Sequence, residues 1–278
     1  MALRRRGLAE TVVGVGRGSA NLALARRRRM LDQATTDPLE GVQDADLVVL
    51  ATPVGMLAEI AKRIAPGLRP GAIVTDAGSV KEGVVRAITP VMPPHAHFVG
   101  GHPIAGGEVS GAGAARSNLF EGSHCILTPT PQTDLKALRK IERLWRSVGA
   151  DVVQMDAATH DRIFGAISHL PHVVAFAVVN AVASANPDAL AHAGSGFRDF
   201  TRIAASHPEA WRDIVLSNRE QILASMASAE KELAAIRDLI ERQDAERLLD
   251  TFRRAGESRR SLQAPGSGAR KRGRKRKT

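Results

Sequence analysis

The hydrophobic positions divide the chain into two parts with different patterns. In the first part, short continuous apolar runs alternate with segments of helical periodicity. The runs lie at 11–15 (TVVGV), 46–51 (DLVVLA), 72–75 (AIVT), 125–128 (CILT) and 151–155 (DVVQM). Continuous runs, rather than alternating ones, are typical of strands that are buried on both faces of a parallel sheet.

Helical segments separate these runs. In the segment 134–148, apolar residues recur at spacings of three and four, and Gly149 provides a stop signal. They are Leu135, Leu138, Ile141, Leu144 and Val148. Alternating strands and helices predict a doubly wound, Rossmann-like α/β domain, which we place at residues 1–156.

After residue 156 the strand signals end. Residues 217–239 are rich in strong helix formers, and the whole stretch 157–262 predicts an all-helical domain. The longest apolar run, 173–179, is too short for a membrane span and predicts a buried helix. Residues 263–278 predict a disordered basic tail.

The start of the chain allows two interpretations. A dinucleotide site needs small residues spaced G-x-G-x-x-G between a strand and a helix. The segment GVGRGS, from Gly14 to Ser19, matches only in part, and the acids within 35–41 follow no predicted strand. We favour the alternative that 11–15 is the second strand, that Gly7 ends the first helix, and that the first strand and glycine loop lie upstream. This predicts an N-terminally truncated domain with two open strand edges.

In that interpretation Arg17 lies at the tip of the second strand, close to Ser19. Most NAD enzymes place an acid there for the ribose, whereas an Arg suits the 2′-phosphate of NADP. A solvated loop Arg is the alternative. The predicted cofactor is therefore NAD or NADP.

Candidate chemistry in the first domain centres on His102. It follows Gly100 and Gly101 at the end of a predicted strand, where doubly wound domains bind ligands. A neutral imidazole at this position can accept the proton of an alcohol, although a structural His is the alternative. Ser79 ends another predicted strand. It could cap the helix that follows, or it could orient a nearby imidazole. Thr52, Pro53 and Val54 end a third strand and could line a nicotinamide pocket.

The helical part adds two pairs of candidate residues. His169 and His172 flank Pro171, and without a third ligand we predict a substrate cleft rather than a metal site. Arg198 and Arg202 are four residues apart and share a helix face. They are either surface charges or a clamp for a carboxylate, which the planar guanidinium binds bidentately.

Composition excludes several classes of protein. The net charge of +10 includes seven charges from the tail, so the rest of the chain carries only +3. Aromatic residues make up 3%, which argues against stacking on nucleic-acid bases, so only the tail could bind RNA. The single cysteine, Cys125, predicts a buried thiol and fits a reducing cytoplasm. The basic start lacks the apolar stretch of a signal peptide.

Six motifs occur in an order that resembles the prephenate dehydrogenase family. They are TPV, TDAGSVK, GGHPIAG, SHLPH, GFRDFTRIA and WRDI, and the likeness runs from Met1 to about Leu262. The resemblance implies an NAD(P)-dependent oxidative decarboxylation of prephenate to 4-hydroxyphenylpyruvate, in tyrosine biosynthesis. It implies a homodimer formed by the helical domain.

The resemblance also implies roles for individual residues. His102 would be the base on the ring hydroxyl, and Ser79 would hold His102 and that hydroxyl. Arg202 would bind a prephenate carboxylate. Further pocket residues would be Arg198, Glu108, His169 and Ser195, with Asp76 and Gly78 beside the cofactor. Gly107 stands where relatives often carry a hydroxyl residue.

Three alternatives remain open at this point. The substrate could be arogenate, in which an amino group replaces the keto group. The chain could bind prephenate without chemistry, because its glycine loop is missing. It could also bind nucleic acid through its tail.

Overall fold

The computed structural model describes residues 1–107 and 110–262. Seven strands form the centre of the first domain: β1 (Val13–Val15), β2 (Gln33–Thr35), β3 (Leu47–Leu50), β4 (Ile73–Asp76), β5 (His97–Pro103), β6 (His124–Thr128) and β7 (Asp151–Gln154). All neighbouring strands are parallel except β5 and β6. The predicted doubly wound domain is therefore confirmed.

The antiparallel step between β5 and β6 departs from the expected parallel sheet. A parallel neighbour needs a crossover connection, usually a helix, that returns the chain to the same end of the sheet. The described part of 104–123 carries only a short 3₁₀ turn at Ala112–Ala114. The chain therefore enters β6 from the end at which β5 finishes.

The strands form two sheets rather than one. The first has the order β1-β2 and the second β3-β4-β5-β6-β7. β1 and β3 are not paired with each other, so each leaves an edge without a β-partner among the described residues, as the sequence predicts. The short polar strand β2 (Gln33–Thr35) was not predicted from the sequence. The expectation that the acids within 35–41 follow no strand was therefore wrong.

Helices cover both faces of the larger sheet. They are α1 (Ala2–Arg5), α3 (Leu57–Ile64), α4 (Glu82–Ile88) and α5 (Leu135–Ser147), whereas α2 (Ser19–Arg27) packs against β2 of the smaller sheet. One apolar cluster joins α3 and α4 to the sheet, and a second joins α1 and α5 to it. As predicted, Gly7 and Gly149 follow helices with positive φ values of 63° and 97°.

The second domain is all helical, which confirms the prediction. Its helices are α6 (Ala157–Phe164), α7 (Leu170–Ala185), α8 (Ser195–Thr201), α9 (Pro208–Ser217), α10 (Arg219–Glu241) and α11 (Ala245–Ser261). A π-helical turn, Gly165–His169, joins α6 to α7. The basic tail at 263–278 lies outside the described residues.

The joined helix Ala157–Ala185 is less buried than the sequence predicts. It has 29 residues with a mean hydropathy of 1.6 in its most apolar window, enough by length and composition to cross a membrane. Only Ala175 of α7 is fully buried. However, His160, Asp161 and His169 of the same helix are buried among polar partners, so it also belongs to the interior of the protein.

Candidate active site

The Gly100-Gly101 pair brings the end of β5 unusually close to its neighbours. A Cβ at Gly100 would lie 2.5 Å from Thr128 Oγ1, and one at Gly101 would lie 2.9 Å from the backbone oxygen of Asp76. Any side chain would therefore push β5 away from β4 and β6. The two glycines thus allow β5 to pack closely between its neighbouring strands.

His102 follows this pair and faces the helical domain. Its Nδ1 lies 2.8 Å from Nε2 of His160 on α6. Phe164, one turn later on α6, packs edge-on against the His102 ring with centroids 5.0 Å apart. Burial lowers the pKa of His102 well below its usual value, and nearby His160 and Lys81 lower it further. The imidazole is therefore neutral at physiological pH and available as a base.

Asp161 links this histidine pair to the sheet domain. Its Oδ1 lies 2.8 Å from His160 Nδ1 and accepts a 2.7 Å hydrogen bond from the backbone N–H of Lys81. Its Oδ2 accepts the backbone N–H of Glu82 at 2.9 Å. A helical-domain carboxylate thus caps the start of α4, where unpaired N–H groups need acceptors.

A fully buried ion pair supports the loop between β4 and α4. Lys81 Nζ contacts Asp76 Oδ2 and donates to the carbonyl of Gly101 at 3.0 Å. The Asp76 carboxylate also accepts the N–H groups of Gly78 and Gly101 at 2.9 and 3.0 Å. The structure thus gives Asp76 and Gly78 a role in holding the loop beside His102, and their predicted contact with a cofactor stays a prediction.

His169 and His172 occupy different environments at the π-helical turn. His169 is fully buried, and its Nδ1 lies 3.0 Å from the amide nitrogen of Asn218. Burial lowers its pKa to about 4, although the nearby Asp161 carboxylate opposes this fall. The His172 ring stacks on Trp211 at a centroid distance of 3.6 Å. His169 is thus held by a hydrogen bond and His172 by ring packing, and their place in a substrate cleft stays a prediction.

Ser79 and the 52–54 segment lie at the ends of their predicted strands. Among the described residues no hydrogen bond joins the Ser79 side chain to His102, and the predicted role of Ser79 in holding His102 stays a prediction. The Thr52 hydroxyl is buried without a partner in the described chain, which leaves it available to a ligand. Pro53 and Val54 enter a 3₁₀ turn.

The remaining predicted residues lie on the surface. Arg17 and Ser19 are exposed between β1 and α2, and Ser195, Arg198 and Arg202 are exposed around α8. Helix α8 ends at Thr201, so Arg202 starts a 3₁₀ turn instead of sharing a helix face with Arg198. Gly107 has open space around it, and Glu108 lies outside the described residues.

Sequence reasoning missed His160, Asp161 and Asn218. One signal could have revealed the first two: they occupy the same helical stripe as Phe164 and Gly165, where an apolar helix face is otherwise expected. Polar residues on a buried face are costly unless they are paired. Asn218 had no such signal, because only the packing of α10 brings it to His169.

The buried histidines predict that stability falls in acid. A group whose pKa is lower in the folded state binds fewer protons there than in the unfolded chain, so acid favours unfolding. For His169 the loss between its usual pKa of 6.5 and about 4 amounts to roughly 3 kcal/mol, at about 1.4 kcal/mol per pKa unit. We expect the free energy of unfolding, measured with urea, to decline steadily from pH 7 to pH 4. His169→Gln should flatten that decline, whereas the same change at exposed His192 should not.

Comparisons with known proteins cover nearly the whole described chain. The family model of the prephenate dehydrogenase nucleotide-binding domain matches residues 1–154, and that of the prephenate dehydrogenase dimerization domain matches residues 156–254. The prephenate dehydrogenase of Bacillus subtilis strain 168 is 34% identical over 273 residues, which cover 97% of this chain and 74% of the relative.

Two solved structures are also similar. The crystal structure of prephenate dehydrogenase from Aquifex aeolicus, in complex with hydroxyphenyl propionate and NAD⁺, has a TM-score of 0.88 and 38% identity. The match covers 94% of this chain and 92% of that one. The Synechocystis arogenate dehydrogenase has a TM-score of 0.76 and 30% identity, with 93% and 92% covered.

Proposed function

This chain belongs to the prephenate dehydrogenase family, and we propose that it oxidises and decarboxylates prephenate to 4-hydroxyphenylpyruvate. The observation that carries the proposal is the neutral, half-buried imidazole of His102 at the carboxyl end of β5. A neutral imidazole at this position can accept the proton of the substrate hydroxyl while hydride leaves the ring carbon that carries that hydroxyl. Loss of the ring carboxylate as CO₂ then makes the ring aromatic.

A nicotinamide cofactor, when bound, supplies the hydride acceptor. The residues at the carboxyl ends of β3 and β4 fit its reactive end, since Thr52 presents a buried hydroxyl without a partner in the described chain. The NAD⁺ complex of the A. aeolicus relative supports NAD. Arg17, exposed after β1, leaves NADP as the alternative, because its guanidinium would meet a 2′-phosphate favourably.

We place two copies of the chain in the active protein, which we expect in the cytoplasm. The second domain matches a dimerization domain. Its long helices leave large apolar side chains exposed, including Leu233, Ile240 and Phe252. A second copy would cover such a surface, which is costly to leave in water. The same argument accounts for the half-exposed apolar helix α7 without a membrane.

Arogenate is a second candidate substrate, favoured by the likeness to the Synechocystis arogenate dehydrogenase. The two substrates differ only in the side chain, where one carries a keto group and the other an ammonium group. The open space around Gly107 adds no contact that would select either of them.

One assay tests the proposal. The purified chain is mixed with prephenate or arogenate and with NAD⁺ or NADP⁺, and formation of the reduced nicotinamide is followed by absorbance. We expect turnover with prephenate and NAD⁺. Turnover with arogenate but not with prephenate would show that arogenate is the substrate. The absence of any turnover, together with retained prephenate binding by calorimetry, would indicate a binding protein without chemistry.

The proposed contact between Arg202 and a carboxylate of prephenate predicts a specific kinetic change. Arg202→Gln should raise the KM for prephenate by about 10- to 100-fold with a small effect on kcat, because a hydrogen bond to a charged group contributes about 1.5–3 kcal/mol. Steady-state kinetics at saturating cofactor would measure this. Arg143→Gln, on the exposed side of α5, is the matched control and should change neither constant. An unchanged KM in the Arg202 variant would remove this residue from the substrate site.

A further inference from the structure

A continuous hydrogen-bonded row runs from the candidate base His102 through His160 to Asp161. We infer that His160 and Asp161 are positioning residues that fix the tautomer of His102, with its proton on Nδ1 and with Nε2 free to accept the substrate proton. The catalytic consequence rests on the proposed function, whereas the tautomer is a property of the free protein.

Asp161 lies at the far end of the row and contacts three nitrogen atoms. Its carboxylate accepts the backbone N–H groups of Lys81 and Glu82 at 2.7 and 2.9 Å. Each carboxylate oxygen thus already faces a backbone N–H, and a carboxylate can only accept hydrogen bonds. The proton in the 2.8 Å contact between Asp161 Oδ1 and the His160 ring therefore belongs to His160 Nδ1.

A neutral imidazole carries one ring proton, and this fixes the donor in the contact between His160 and His102. Burial lowers the pKa of His160, against the opposing effect of the Asp161 carboxylate. Neutral His160 carries its proton on Nδ1, so its Nε2 has a lone pair and can only accept. The 2.8 Å contact with His102 Nδ1 then needs a donor, and only the His102 Nδ1–H can provide it.

The atom that would take the substrate proton is His102 Nε2. His102 is neutral and holds its proton on Nδ1, so its Nε2 has a free lone pair. This is the state that a general base needs, and a carboxylate behind a histidine serves the same purpose in hydrolytic triads. When Nε2 accepts the proton released from the substrate O–H bond, the new imidazolium keeps its Nδ1–H hydrogen bond to His160, and no hydrogen bond within the row has to change.

The two residues behind His102 are closed to water. His160 is fully buried, Asp161 is almost so, and the Phe164 ring stacks on His160 at 4.5 Å while its other contact is to His102. The charged and titratable groups nearby are Lys81, held by Asp76, and His169. Burying two polar residues is costly unless they are satisfied, and the row satisfies both ring nitrogens of His160.

The test uses nitrogen NMR of the imidazole rings in the free, full-length protein with ¹⁵N-labelled histidine. His102 is assigned by the signal that is lost in His102→Asn. We expect the wild-type protein to show His102 protonated at Nδ1. His160→Leu removes the acceptor and should yield a mixture of His102 tautomers. His160→Gln offers an amide oxygen in its place and should largely restore the wild-type tautomer.

Kinetics supply the second readout. His160→Leu should lower kcat for prephenate by about 10²-fold, within the range attributed to a positioned base, and should change the KM by less than about threefold, because the base is impaired rather than the substrate contacts. His160→Gln should recover most of that loss. His192→Leu, at an exposed position, is the control, and thermal melting verifies that each variant is folded.

Each outcome separates the two claims. A wild-type His102 that is protonated at Nε2, or a tautomer that is unchanged in folded His160→Leu, would overturn the inference whatever the activity. A wild-type protein that shows the Nδ1–H tautomer but fails to oxidise prephenate would refute the proposed function and support the inference about tautomer.

Discussion

Replacing His102 with asparagine is expected to lower kcat for prephenate oxidation by about 10²-fold or more, as for the loss of a general base. Asparagine has no group that can take the hydroxyl proton at neutral pH. Its amide can still donate to His160 Nε2, so the row behind it stays satisfied and the fold should be retained. Initial rates at saturating prephenate and cofactor would measure the loss.

The matched control is His124→Asn, at the exposed first residue of β6. It makes the same chemical change on the neighbouring strand and should leave the rate unchanged. Retained cofactor binding and an unchanged melting temperature in His102→Asn would locate the defect in chemistry rather than in folding. A rate in His102→Asn equal to that of the wild type would contradict the assignment of His102 as the base.

The second large effect is expected on stability. Lys81→Met should lower the free energy of unfolding by about 3–5 kcal/mol, as for a buried ion pair that loses one partner. Lys81 and Asp76 are both fully buried. Without the ammonium group, the Asp76 carboxylate would keep only its two backbone N–H donors in a site closed to water. Urea unfolding followed by circular dichroism would measure the change.

Two further variants show whether the uncompensated charge is the cause. Lys62→Met makes the same substitution at an exposed position of α3 and should stay within about 0.5 kcal/mol of wild type, as surface changes usually do. Asp76→Asn combined with Lys81→Met removes both charges, so it should be more stable than Lys81→Met alone. If the double variant were no more stable, the loss would come from packing of the Lys81 side chain.

This ion pair also connects stability with the site. Lys81 donates to the carbonyl of Gly101, the residue before His102, and its own N–H bonds to Asp161. One residue thus contacts both the strand that carries the base and the carboxylate behind it. The same loop holds the sheet domain and the helical domain together.

The sequence by itself determined the features that depend on local periodicity and on motif order. The apolar runs at 46–51 and 72–75 predicted β3 and β4, and the helical spacing of 134–148 predicted α5. Its buried positions include Leu138 and Ile141. The motif GGHPIAG marked His102, because two glycines and a titratable residue at a strand end are unusual in a packed core. The family followed from the order of six such motifs.

The tertiary structure decided which groups those residues meet. β2 has three residues and a polar sequence, so its periodicity was too weak to detect, and only its pairing with β1 defines it. The direction of β6 depends on the connection before it, which no strand pattern encodes. Lys81 carries no signal of burial in the sequence, yet it is the buried partner of Asp76.

The hydrogen-bond partner of His102 shows most clearly why the sequence alone could not reveal the contacts of the site. The sequence placed Ser79 beside the base because both lie at strand ends. The structure gives the Nδ1 contact to His160, 58 residues away along the chain. Local spacing reveals that a side chain faces the interior, because helix and strand periods fix its direction. It cannot reveal the atom that side chain meets, because that depends on how α6 packs across the sheet, and hence on contacts distributed over both domains.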